Sequence, residues 1–132
     1  MKATPAAKKT TKPAPALPAT FTVGDLEWCV LCEGKEVNAS THEKAVAALG
    51  GDWRMPTRQE LEYGSPLDLT RYNPAFDAEK YPMLKAGWYR SCTAAAWSPE
   101  SCAWGVLFDV GLVGYDHRSF TGFALAVRRA SQ

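Results

Sequence analysis

Three prolines break the chain between residues 64 and 87, at Ser65-Pro66, Asn73-Pro74 and Tyr81-Pro82. A proline has no backbone N–H to give to a helix or a ladder, and it holds the residue before it in an extended conformation. No helix or central strand can run through such a stretch. It reads as a long surface excursion, pinned to a body by Leu67, Leu69, Phe76, Tyr81 and Leu84. Regular structure is thereby divided into an early block that stops near Gly64 and a late block that starts near Trp88.

The early block carries helix grammar. Ser40 with Glu43 three positions on predicts a capping box ahead of Ala45, Val46, Ala47, Ala48 and Leu49, and Gly50-Gly51 ends the run. Thr57 and Glu60 repeat the signal, with Pro56 before the cap, Leu61 at the buried position and Gly64 as the stop. Upstream, Leu26–Leu31 reads as a strand and Glu33-Gly34 as a turn into Lys35–Asn38, so a hairpin is expected to open the body. The late block reads as strands at Trp88–Thr93, Ala103–Asp109, Leu112–Asp116 and Gly122–Arg128. In the last of these Phe123, Leu125 and Val127 alternate with Ala124, Ala126 and Arg128. The predicted fold class is α+β, two helices followed by an antiparallel sheet with long loops.

Residues 1–20 have a different texture: six Ala, four Pro, four Lys and four Thr, with Met1 and Leu17. Nothing there can build a core, so the organisation is an extended arm at 1–20 and one domain at 21–132. The arm holds Lys2, Lys8, Lys9 and Lys12 and no acid, whereas the rest of the chain has 11 basic against 14 acidic residues. A near-neutral total therefore hides a basic arm on a mildly acidic body, which argues against a nucleic-acid-binding body. The arm itself can be a solvated linker, an adhesive for nucleic acid or a peptide that threads along a neighbouring subunit. Four charges are too few for tight nucleic-acid binding, and Pro and Ala between lysines suit an extended docking peptide. No apolar run approaches the roughly 18 residues of a membrane span, and no apolar stretch follows the first lysines, so neither membrane insertion nor a secretory leader is expected.

The order of short motifs is distinctive. Gly50–Thr57 (Gly-Gly-Asp-Trp-Arg-Met-Pro-Thr) leads into Glu60-Leu61 and then Asn73-Pro74-Ala75-Phe76. After these come Trp88-Tyr89-Arg90-Ser91-Cys92-Thr93, Ala103-Trp104-Gly105-Val106-Leu107-Phe108 with Gly111, and a closing Ala126-Val127-Arg128. Over roughly residues 26–129 this resembles the C-terminal domain family of the Legionella collagen-like adhesin, a bacterial and phage family with a C-type-lectin-like fold. The chain departs from the family pattern at Arg90-Ser91-Cys92-Thr93, where two serines and a threonine are usual, and at Ala124-Leu125, where a first Val-Arg pair is common. The resemblance implies a module whose first and last strands pair and whose long loops are displayed on one side. Calcium-dependent lectins of the wider fold carry Glu-Pro-Asn, Gln-Pro-Asp and Trp-Asn-Asp triplets. None occurs here, so no metal site is expected.

Within the entry motif, Trp53 is expected to fill core, Pro56 to set the entry angle and Thr57 to cap, leaving Arg54 to bridge carboxylates or carbonyls. Cys29 and Cys32, three apart at the end of a strand, point to opposite faces, and Cys92 and Cys102 have no zinc-site spacing. Buried free thiols, one Cys92–Cys102 disulfide or a metal site remain the alternatives. His42 falls in the first helix, where a solvated role suffices. Trp97-Ser98-Pro99-Glu100 and Gly114-Tyr115-Asp116-His117-Arg118-Ser119 lie in or beside loops and combine flat rings with directional hydrogen-bonding groups, the chemistry of a sugar or protein contact.

These readings predict a non-enzymatic, lectin-like display module that is oligomeric within a larger assembly and takes no cofactor. Its arm (Lys2, Lys8, Lys9, Lys12, Pro13, Pro15) would hold it to the structural proteins of a phage virion, as a capsid decoration or tail-associated protein assembled in the bacterial cytoplasm. Its loop residues Trp97, Tyr115, Asp116, His117 and Arg118 would face a host surface glycan or protein. A free-standing glycan- or protein-binding lectin or adaptor is the competing class. A cysteine-dependent oxidase is the catalytic alternative, since sulfur-oxidising and formylglycine-generating enzymes share the broad fold.

Overall fold

The computed structural model describes residues 19–130; the lysines and prolines of the arm lie outside them. Nine elements follow in order: β1 (Thr20–Val23), β2 (Leu26–Val30), a 3-10 turn (Cys32–Gly34), α1 (Ala39–Leu49), α2 (Arg58–Tyr63), β3 (Trp88–Ala94), β4 (Cys102–Leu107), β5 (Val113–His117) and β6 (Leu125–Arg129). The expected single sheet is two antiparallel sheets of three strands, ordered β1-β2-β6 and β3-β4-β5. The last strand pairs with the early strand β2, Trp28 opposite Val127 and Cys29 opposite Ala126. The sheets meet where Phe123 donates to the Trp88 carbonyl at 2.7 Å just before β6 begins. The opening hairpin is β1–β2, upstream of the Lys35–Asn38 segment, because Gly24 takes the left-handed conformation a tight turn requires.

Strand β6 explains how the two sheets and helix α1 cohere. Leu125 and Val127 point into the main core with Trp28, Leu61, Phe76, Leu84, Tyr89, Val106 and Phe108. Ala124 and Ala126 point the other way, into a second cluster with Cys29, Leu31 and Val46. The alternation in this strand separates large from small, with both faces buried. The alanines let α1 approach closely, and each large residue on the other face contributes about 1.5–3 kcal/mol by leaving water.

Helix α1 starts earlier than the Ser40 signal suggests. Asn38 is the N-cap, its Oδ1 accepting the Thr41 N–H at 3.0 Å. With that start Ala39, His42 and Val46 share the buried face. His42, expected to be solvated, is fully buried, and its Nε2–H donates to the Leu125 carbonyl at 2.9 Å. Helix α2 has the expected capping box, Thr57 Oγ1 accepting the Glu60 N–H at 3.1 Å while Glu60 Oε1 accepts the Thr57 N–H at 2.9 Å.

The excursion at 64–87 is pinned as expected by Phe76 and Leu84, with Leu67 and Tyr81 packed beside them. Leu69 is the exception, standing 72% exposed. Backbone bonds sew the segment to the end of β4: Ala75 N–H to Phe108 O at 2.7 Å and Asn73 N–H to Asp109 O. Two glycines give Trp88 its seat. A Cβ on Gly105 would lie 2.6 Å from the Trp88 ring and 2.5 Å from the Tyr89 carbonyl, and one on Gly122 would lie 2.5 Å from the ring.

Candidate functional site

The β4–β5 register places Trp104 opposite Tyr115. Leu107 N–H bonds Leu112 O at one end of the ladder and Arg118 N–H bonds Ser101 O at the other, so alternation makes Trp104–Tyr115 a non-hydrogen-bonded pair, the kind whose side chains come closest. Trp97 joins them from the β3–β4 loop. That loop is folded by local bonds, Ala95 N–H to Cys102 O at 3.0 Å, Ser98 N–H to Ala95 O at 3.0 Å and Cys102 N–H to Ser98 O at 2.9 Å.

The three rings stand nearly perpendicular to one another. Centroids are 5.5 Å apart for Trp97–Trp104, 4.8 Å for Trp97–Tyr115 and 5.9 Å for Trp104–Tyr115, with interplanar angles of 86°, 83° and 77°. Edge-to-face contacts of this kind contribute about 0.5–1.5 kcal/mol per pair beyond burial, so the cluster holds its shape. Trp97 and Tyr115 remain 59% and 55% exposed. Arg58, at the start of α2, lays its guanidinium over Trp104 at 5.2 Å from the ring centre. Its N–H donates to Thr93 Oγ1 at 2.9 Å and its Nε lies 3.1 Å from Glu62 Oε2 in an ion pair. Beside it a shallow hollow of about 310 Å³ is lined by Thr57, Arg58, Gln59 and Thr93.

Of the five residues singled out from sequence, Trp97 and Tyr115 are brought together. Tyr115 and Asp116 lie on β5, within the strand expected at Leu112–Asp116, and His117 extends that strand by one residue instead of opening a loop. His117 shares Tyr115's face, bonded through Nδ1 to Ser119 Oγ at 2.8 Å. Asp116 projects from the opposite face and accepts the His117 N–H at 2.8 Å. Arg118 braces the loop that carries Trp97, donating to Pro99 O at 3.0 Å. Sequence reasoning missed Trp104 and Arg58. Trp104 is in phase with the buried Val106, and only the cross-strand register and the docking of α2 reveal that both join the cluster.

The other polar residues have structural employment. Arg54 bridges Glu60 through both terminal nitrogens, at 2.7 and 2.5 Å, as expected from its place beside Trp53; the Arg54 hydrogen bond holds the Glu60 carboxyl below the usual range. Trp53 is half-buried against the second cluster and covered by Arg128, 4.2 Å from its ring centre. Arg90 is buried and donates to the Val37 and Phe120 carbonyls. A wider dish of about 540 Å³ at Arg71, Tyr72, Phe76, Asp77 and Glu79 has its cation already paired, with Asp68 at 3.3 Å and Asp77 at 3.6 Å.

All four cysteines are free thiols, and among the described residues no group of His, Cys, Asp or Glu is arranged to hold a metal. Cys32 leaves the strand in a positive-φ turn. Burial pushes the Cys29 thiol up to about 11 and raises those of Cys32 and Cys92. Among the described residues no helix is long and apolar enough to cross a membrane.

No curated protein matches the chain. The motif order, the pairing of β2 with β6 and the two helices ahead of the second sheet agree with the one family assignment found: the Lcl C-terminal domain, a binding domain of adhesin-like proteins, matches residues 9–128, and the chain belongs to that family.

Proposed function

We propose that this protein is a non-enzymatic binding module displayed on a larger assembly, with the Trp97–Trp104–Tyr115 cluster as its contact surface for a host surface glycan or protein. The observation that carries the reading is that cluster: two large aromatic residues more than half exposed, side by side, fixed by a third ring and a stacked guanidinium. Water disfavours such an arrangement, and exposed aromatic and arginine groups on rigid elements are the usual makings of an affinity centre. Attachment through residues 1–20, and a phage virion as the assembly, rest on sequence alone: the basic, proline-rich arm and the resemblance. The non-catalytic reading is supported by Cys29, Cys32 and Cys92, whose thiols burial holds above the ordinary value and so protonated and poorly nucleophilic at neutral pH.

The test uses full-length protein in glycan-array and particle pull-down assays. Trp97→Ala with Tyr115→Ala should abolish glycan or host-protein capture while a single cooperative melting transition is kept, lowered by no more than the about 1.5–4.5 kcal/mol that the three lost ring pairs contribute. Replacing Lys2, Lys8, Lys9 and Lys12 by serine should abolish incorporation into particles and leave capture intact. Capture that survives loss of both aromatics would sink the contact surface. Incorporation that survives loss of the lysines would favour a free-standing lectin or adaptor.

A further inference from the structure

We propose that the outer edge of β5 is a pairing edge for a second copy of this chain, joined antiparallel about a two-fold axis at Gly114. The inference goes beyond the contact surface proposed above, because it concerns the free backbone of the strand and not the rings beside it.

The ladder with β4 decides which backbone groups are free. Leu107 N–H bonds Leu112 O and Arg118 N–H bonds Ser101 O, so Leu112, Gly114, Asp116 and Arg118 turn their N–H and C=O toward β4. Val113, Tyr115 and His117 therefore turn theirs to the outer edge. At His117 both groups are taken within the chain, Asp116 Oδ1 accepting the N–H at 2.8 Å and the Phe120 N–H donating to the C=O at 3.0 Å. At Val113 and Tyr115 neither group has a partner among the described residues. Two donors and two acceptors are left side by side on an open sheet edge, the template on which another strand pairs.

That part of the edge is unguarded. Edge strands that stay single carry lysine, proline or a bulge, whereas Val113-Gly114-Tyr115 has none of these and runs in unbroken register with β4. Apolar surface gathers there as well. Eight large apolar side chains are more than a third exposed among the described residues, and five of them border this edge: Val113 and Tyr115 on it, Leu112 just before it, Trp97 against Tyr115 and Phe120 against His117. Their exposed parts amount to roughly 500 Å² in one copy and about 1,000 Å² in two, the size at which a specific contact becomes stable.

The occupant follows from the pattern of free groups. Only one antiparallel register of two copies pairs all of them: Val113 of each copy opposite Tyr115 of the other, with Gly114 facing Gly114 at the axis. Glycine at that position has no employment within one copy, since its φ is not left-handed and a Cβ would meet only the rim of the Trp88 ring at 3.7 Å, an ordinary contact. A glycine inside a strand weakens it and marks a place where another backbone comes close. A non-hydrogen-bonded pair, its Cα atoms about 4.5 Å apart, is such a place. Tyr115 then lies beside Val113 of the second copy, an aromatic and β-branched pair of the kind that stabilises neighbouring strands. The product is a continuous six-stranded sheet, β3-β4-β5 of one copy followed by β5-β4-β3 of the other, with both ring clusters on the same face.

Full-length protein followed by analytical ultracentrifugation over a concentration series tests the pairing. Wild type should form a dimer as concentration rises. Val113→Pro removes an N–H that faces away from β4, where an edge strand accepts proline, and so takes two of the four ladder bonds from each dimer. Association should weaken about tenfold or more. Val113→Lys, which guards the edge with charge, should weaken it likewise. Both variants keep all three rings of the contact surface, and a single cooperative melting transition in each shows that loss of association is not loss of fold.

Cross-linking reads the register. Gly114→Cys places two thiols at the axis, within the Cα separation of about 4.4–6.8 Å that a disulfide spans, so oxidation by dioxygen should link the chains at position 114. Leu112→Cys is the control, because in this register its two copies stand four residues out of line, roughly 13 Å apart, and should stay unlinked. Mass spectrometry of the linked peptide separates a bond at 114 from one formed by the exposed Cys92. Monomer at every concentration, association undiminished in both Val113 variants, or equal linking at 112 and 114 overturns the proposal. In the first case the edge is left to an extended segment of another protein.

Discussion

Acidification from pH 7 to pH 4.5 should weaken the fold through His42. Burial is the main cause that lowers its pKa from 6.5 to about 4; the Leu125 hydrogen bond opposes the shift and the Arg90 charge adds to it. Folded protein thus holds a neutral imidazole while the unfolded chain takes up a proton below about pH 6.5. The stabilisation is complete above the unfolded value, falls as pH drops through 6.5, and is gone near the folded value of about 4. At about 1.36 kcal/mol per unit, the loss between pH 7 and 4.5 is about 2.5 kcal/mol, or roughly 10 °C in the melting midpoint of a domain this size. Glu60, whose pKa is lowered from an ordinary 4.5, contributes above that value and loses its share only in stronger acid, so the window between 6.5 and 4.5 isolates the histidine. Urea unfolding at half-unit pH steps measures the slope, with His42→Gln as the control that keeps a donor for Leu125 O and does not titrate. A flat wild-type profile across the window, or a slope that persists undiminished in His42→Gln, would refute the reasoning.

Thr57→Ala removes one half of the reciprocal cap on α2 and should cost about 1–2 kcal/mol in urea unfolding, with Thr57→Ser recovering most of it. Gly105→Ala puts a methyl 2.5 Å from the Tyr89 carbonyl and 2.6 Å from the Trp88 ring; the forced shift should cost about 1–3 kcal/mol and alter the near-ultraviolet dichroism of Trp88. Thiol labelling of the native protein should reach the exposed Cys92 first and the buried Cys29 only on unfolding, so mass spectrometry that finds Cys29 labelled as early as Cys92 would contradict the packing of the second cluster.

What was legible in the sequence were features set within a few residues. The Thr57–Glu60 box is a local hydrogen-bond exchange, so four residues suffice to announce it. Arg54 was readable as a bridge because its partner Glu60 lies in the same turn it introduces. The first helix shows how local signals compete: Ser40 and Asn38 both offer a capping oxygen, and Asn38 prevails because starting at Ala39 turns His42 and Val46 inward together. His42 itself was illegible, since its acceptor, the Leu125 carbonyl, lies 83 positions away. Alternation in β6 marked a strand but not the burial of both faces, which depends on α1 covering the alanines. Splitting into two sheets was hidden for the same reason, because strand pairing is decided across the whole chain.

The candidate site follows from the incomplete cover of one sheet face by a short helix that packs on β3 and β4 and leaves the edge strand β5 bare, which no local motif contains. One face of β3-β4-β5 carries Tyr89, Val106, Trp104 and Tyr115, and α2 lies across it with Leu61 in the core beside Tyr89 and Val106. Six helical residues span about 9 Å at 1.5 Å each. Six strand residues in β4 span about 20 Å. The helix therefore covers only part of the face, and burial falls away across it toward the edge strand β5, from Val106 at 0% exposed to its partner Val113 at 38%, and from the half-buried Trp104 to its partner Tyr115 at 55%. Beyond the helix the rings of Trp97, Trp104 and Tyr115 shelter one another and Arg58 bridges from the first turn of α2. The strand pattern that builds the core continues past its cover and becomes the surface available for binding, so Trp104 looked like a core residue in the sequence while lying at the centre of the exposed cluster.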